Sequence, residues 1–184
     1  MPDLREVKEF LKDTLAYIIV IISTMLVFIY VFSFQQVIGN SMSPVLNDGD
    51  VAFLSKITYR ISKVKRNDVI ALKTNDGKVY VKRVIGLPGE SISYMDNILY
   101  INNEPFTEEF IGEEVNTNNF MFEDICSKED CPNGVIPDNM YLVLGDNRED
   151  SLDSRDPSLG LVPKDNIIGK SLIRIWPLNK ISKT

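Results

Sequence analysis

The 184-residue chain contains no histidine. That absence excludes a Ser-His-Asp triad and removes the side chain most often used as a general base near neutral pH. It also leaves a metal site short of ligands, because Cys126 and Cys131 are the only cysteines. No metal or cofactor is expected. The chain lacks a broad basic surface, so nucleic acid is not expected as a partner. Internal repeats and low-complexity tracts are missing too. The formal charge of −6 is uneven: residues 104–130 hold nine acids and one lysine, a local −8, which leaves the remainder at +2. The acidity therefore describes one segment and says nothing of a substrate.

Charge itself is missing between Asp13 and Asp48. Within that gap Leu15 to Phe34 is apolar enough, over 20 residues, to cross a bilayer as a helix. Apolar character all round argues for lipid rather than a protein core. After Ala16 the next alanine is Ala52, so a small-x-small cleavage site for a removable leader is not evident. Residues 15–34 are expected as a retained single-pass anchor in the cell membrane. Residues 1–14 form a short segment before it, with Arg5, Lys8 and Lys12, and could enter it as an amphipathic helix. The next base after the anchor is Lys56. That bias places the N-terminus in the cytoplasm and residues 35–184 on the extracytoplasmic side. There, Cys126 and Cys131 read as a small loop-closing disulfide, with two free thiols as the alternative.

Beyond the anchor the pattern is mainly β. Gln35 to Gly39 should leave the membrane in extended form. Runs rich in valine, isoleucine and tyrosine predict strands at Asp50–Ser55, Asp68–Lys73, Lys78–Ile85, Ile98–Asn102, Met140–Gly145 and Ile167–Ile175. Asn75-Asp76-Gly77 sits between two such runs and predicts a hairpin. The acidic stretch, about 104–137, interrupts the pattern as an insertion and is expected to be a solvated surface loop.

Three segments could carry chemistry. Ser41 lies in GNSMSPVL (39–46), just past the anchor, where Pro44 disfavours helix. Lys82 lies in VYVKRVIGLPGE (79–90), on a strand whose alternation puts it with Tyr80 and Val84. With histidine absent, another group must take the proton of a nucleophilic serine, and Lys82 is the best candidate. At its ordinary pKa only on the order of one lysine in a thousand is neutral near pH 7.5. Burial against apolar groups is what lowers that value. The bland reading is an edge-strand lysine that discourages aggregation. The third segment, GDNREDSLDSR (145–155), packs hydroxyls and charges after a strand. It reads either as a loop knitted by its own ion pairs or as the support behind the lysine.

Together, the anchor, the G-x-S-M-x-P stretch, the Lys-Arg of KRVIGLPG and GDNREDSLDSR resemble the bacterial type I signal peptidases of the serine–lysine kind, with a Gram-positive-like layout. The resemblance covers residues 15–176. It implies a signal-peptidase-like β-domain behind one transmembrane helix. It implies Ser41 as nucleophile and Lys82 as general base, with Ser151, Asp153 and Arg155 in support; Asp146 and Arg83 match structural positions. Ile38, Gly39, Met42, Leu46, Tyr80 and Val81 would line the substrate site. The activity implied is removal of signal peptides from exported preproteins after a small-x-small sequence, through an acyl-enzyme. Implied partners are such preproteins, the lipid bilayer and the secretion translocon. Gly39 stands where some members have a serine that helps form the oxyanion hole, and Val45 where threonine is usual. A self-cleaving repressor would also use a serine–lysine pair, but with a DNA-binding domain in place of an anchor. A membrane-tethered, non-catalytic binding domain is the remaining alternative.

Overall fold

Asp3 caps the first helix, its carboxylate accepting from Arg5 N–H at 3.3 Å, and α1 then runs from Leu4 to Val31 with no buried residue. The computed structural model describes residues 3–74, 76–112 and 115–184. Among these, α1 is the one helix long and apolar enough to cross a membrane. It joins the expected leading segment and the expected anchor into one rod, but it stops before Phe34. Phe32–Gln36 form strand β1 instead, paired antiparallel with β2 (Val51–Ser55) from Phe32 against Ser55 to Gln36 against Val51. The rings of Phe28, Phe32, Phe34 and Phe53 cluster at centroid separations of 4.8 to 6.5 Å. Hydropathy alone cannot separate this aromatic strand from the helix that precedes it.

A short α2 (Thr58–Ile61) leads to β3 (Val69–Lys73) and β4 (Val79–Gly86). These two pair as a hairpin, with Thr74 N–H donating to Lys78 O at 2.9 Å; Asn75 of the expected turn lies outside the described residues. Next come β5 (Ile92–Met95), β6 (Ile98–Ile101) and β7 (Glu104–Phe106), a separate three-stranded meander. Its turns are the two-residue pairs Asp96-Asn97 and Asn102-Asn103, all four at positive φ between 50° and 66°. Asn and Asp tolerate that left-handed backbone, and two-residue turns of this hand match the strand twist. Then follow α3 (Phe122–Ile125), β8 (Met140–Leu144), β9 (Val162–Pro163), β10 (Ile167–Trp176) and β11 (Ser182–Lys183). The main sheet is antiparallel in the order β1-β2-β10-β3-β4-β8-β9, with β11 on β10.

The acidic insertion departs from the solvated loop expected of it. Phe120, Phe122, Cys131 and Ile136 are buried with Ile92, Tyr94 and Leu99 of the meander and Leu142 and Leu144 of β8. Among the described residues its acids other than Glu108 face outward, while a sparse set of apolar side chains closes one core. Phe120 also bridges to Tyr94 through backbone hydrogen bonds. Cys126 and Cys131 are joined as a disulfide with Cα atoms 5.9 Å apart. Glu113 and Glu114 lie outside the described residues.

Candidate active site

From Val81 to Gly86 every residue of β4 is buried, so both faces of this strand meet protein. Alternation then divides its neighbours. Val81 joins Met42, Leu46, Ala52, Leu54, Val69 and Ala71 in one core. Val84 joins Ile70, Leu72, Tyr141 and Val143 in another, against which Tyr80 packs. Lys82 shares the second face. It is 1% exposed, and its Nζ lies 5.8 Å from the Tyr80 ring centroid. Burial among these apolar groups lowers the Lys82 pKa to about 8, with Asp153 pulling upward and Arg155 again lowering it.

What meets the amine comes from the loop after β8. Ser151 Oγ accepts from Lys82 Nζ at 3.1 Å. Gly145, at the start of that loop, lies between this pair and the Ser41 segment. A Cβ added at Gly145 would stand 2.2 Å from Ser151 Oγ and 2.3 Å from the Ser41 carbonyl oxygen. No side chain fits there. Asn147 fastens the same segment: its N–H donates to Ser41 O at 3.1 Å and its Nδ2 to Asn40 O at 3.2 Å. Ser41 and Lys82 thus converge on Gly145 and Ser151. Their side chains do not hydrogen-bond each other in this arrangement, and Ser41 N–H has no acceptor among the described residues.

Asp153 is fully buried and holds the loop from behind. Its carboxylate accepts from Gly145 N–H at 3.0 Å and from Arg155 Nε and Nη2 at 2.9 and 2.8 Å. Burial pushes this carboxyl up, but the Arg155 guanidinium and the Gly145 N–H outweigh it and hold it below the usual range. Arg83 and Asp146 form a second buried pair, at 2.8 and 2.6 Å, with Arg83 4.2 Å from the Phe110 ring centroid.

The candidate lining residues are not gathered on one surface. Met42 and Leu46 are 0% exposed core side chains, whereas Ile38 is 85% exposed. Gly39 is exposed at φ +83°, its N–H donating to Asp48 Oδ1 at 2.7 Å. Tyr80 and Val81 point to opposite faces of β4.

Sequence reasoning had Arg148 in the charged loop but overlooked its partner, Glu108. Arg148 Nη2 and Nη1 bond Glu108 at 2.5 and 2.9 Å, and its Nε donates to Gly145 O at 3.0 Å. Arg155 Nη2 in turn donates to Arg148 O at 2.8 Å. The insertion thereby reaches the loop that holds Ser151. The signal available was Arg148 inside the charged loop; its partner, 40 residues away in an acidic run, had none.

A family profile described as "Signal peptidase, peptidase S26" matches residues 8–176. The signal peptidase I of Bacillus licheniformis is 35% identical over 170 residues, 92% of this chain and 90% of that one. The signal peptidase IB of Staphylococcus aureus is 32% identical over 180 residues, 94% and 93% of the two chains. A crystal structure of a signal peptidase I from Enterococcus faecalis is 35% identical, covers 60% of this chain and 97% of that one, and has a TM-score of 0.49.

Proposed function

Since the chain belongs to the signal peptidase family, peptidase S26, we propose that Ser41 is its nucleophile and Lys82 its general base. The protein is a signal peptidase I, a serine endopeptidase that removes signal peptides from preproteins. The observation that carries the assignment is the buried Lys82 amine, with a pKa of about 8, beside the segment that holds Ser41. Neutral Lys82 takes the Ser41 proton as Oγ attacks the scissile carbonyl. Ser151 holds the amine in place. The unbonded Ser41 N–H is a donor for the oxyanion, a role for which Gly39 has no hydroxyl to offer. The Lys82 ammonium then protonates the leaving amine, and the neutral amine activates water to release the acyl-enzyme. The bond cut follows a small-x-small sequence.

The N-terminal apolar helix is what a single-pass membrane enzyme of this family requires. Arg5, Lys8 and Lys12 lie in its N-terminal turns, before the uncharged stretch, which supports an N-terminus in the cytoplasm and cleavage on the far side. Preproteins emerging from the secretion translocon would be met there.

Incubation of the detergent-solubilised full chain with an Ala-x-Ala peptide tests the reading. The rate should climb about tenfold between pH 7 and 9, as the neutral fraction of a lysine of this pKa does. A folded protein that cuts nothing, or a rate flat across that range, would refute the lysine base. Gly145→Ala should lower kcat/KM on the order of a hundredfold, because its Cβ must displace Ser41 or Ser151. Near-wild-type kinetics in that variant would show that the close approach is dispensable.

A further inference from the structure

Where α1 gives way to the sheet, a concavity of about 440 Å³ opens that the cleavage chemistry does not use. Its walls include Tyr30, Lys56, Arg60, Lys164, Asp165 and Ile168. Tyr30 belongs to the last turn of α1, so the concavity sits at the end of the apolar helix. Two of its cations are fastened to that end. Lys56 Nζ donates to Ile29 O at 2.6 Å, and the Arg60 guanidinium donates to the Tyr30 hydroxyl while lying 5.0 Å from its ring centroid. These contacts occupy one donor each. A lysine has three donors and an arginine five, so most remain open. Lys56, Arg60 and Lys164 take part in no ion pair among the described residues. Against one wall acid, Asp165, they leave the concavity at +2.

A cationic recess fixed at the depth where a membrane helix ends faces lipid headgroups. Lysine and arginine bind their phosphates through charge-assisted hydrogen bonds, and a tyrosine suits the same interface. We propose that this recess binds the phosphate of an anionic glycerophospholipid. A headgroup of net charge −1 complements +2, whereas a zwitterionic one gains little. The proposal rests on α1 spanning a bilayer.

The full chain is exchanged in detergent with a mixture of phosphatidylglycerol and phosphatidylcholine, delipidated, and examined by native mass spectrometry for retained lipid. Wild type should keep phosphatidylglycerol in preference to phosphatidylcholine. Retention should fall about fivefold for each of Lys56→Gln and Arg60→Gln, and still further in the double variant. Asp165→Asn should raise it, and Lys63→Gln, outside the recess, should not change it. Equal retention of the two lipids, or a double variant that keeps phosphatidylglycerol as wild type does, would overturn the proposal. Displacement of the lipid by millimolar inorganic phosphate would assign a free-anion site and overturn the lipid as occupant. Flotation of wild type with phosphatidylcholine vesicles tests the span separately. A protein that floats without the lipid preference keeps its anchor and loses this site.

Discussion

Ser41→Ala is expected to lower cleavage of an Ala-x-Ala peptide by at least about a thousandfold, the scale seen when a nucleophile that works as a unit with its base is removed. The loss should fall on kcat, with KM nearly unchanged. The Ser41 carbonyl oxygen accepts from Asn147 N–H, and that contact involves no side-chain atom of Ser41. The segment should therefore stay docked, and the variant should insert into membranes and unfold like wild type. Full processing of a preprotein by Ser41→Ala would remove the residue from the mechanism.

Lys82→Arg should be as inactive as Lys82→Met, since arginine keeps the charge but does not give it up at working pH. The two should differ sharply in stability. A buried lysine whose pKa falls from its ordinary value to about 8 is a burden on the fold wherever it is protonated. Below about pH 8 the amine is charged in folded and unfolded chains alike, and the burial penalty is fully present. As pH rises from there toward the ordinary lysine value, the unfolded chain holds more protons and the penalty fades. Lys82→Met should thus be more stable than wild type by roughly 2 to 3 kcal/mol at neutral pH. The lost Ser151 contact offsets part of that, and the gap should close in alkaline buffer. Thermal unfolding at pH 7 and pH 10 reads both. A methionine variant less stable at neutral pH, or an arginine variant with substantial activity, would make Lys82 a structural cation.

Legibility in the sequence followed how local the physics is. β2, β3, β4, β8 and β10 were readable because each is a run of branched or aromatic residues between turn signals. β1 was not, since Phe32 to Phe34 look like more helix until Ser55 and Phe53 are found opposite them. β5 and β7 were missed because their turns are Asp-Asn and Asn-Asn pairs without glycine. Ser41, Lys82, Ser151, Asp153 and Arg155, the residues of the proposed site, could be singled out because three short motifs contain them. Glu108 could not, because only the fold sets it against Arg148. Nor could the sequence say that both faces of β4 are covered, which is what buries Lys82.

The joint between α1 and β1 has no slack. Phe32 N–H still closes on Phe28 O as the helix ends, and Lys56 N–H grips Val31 O at 2.8 Å. Rod and sheet are thereby hydrogen-bonded end to end, and the five residues of β1 carry the chain about 17 Å onward at the usual strand rise. With α1 spanning a bilayer as proposed, such a joint would make the enzyme a ruler. These backbone contacts would fix the height of Ser41, and a substrate held by an apolar stretch of its own would offer only the bonds at that height. A glycine-serine spacer between Val31 and Phe32 should spare the cutting of soluble peptides while blurring which bond is cut in a membrane-held preprotein, as mass analysis of the released N-termini would show.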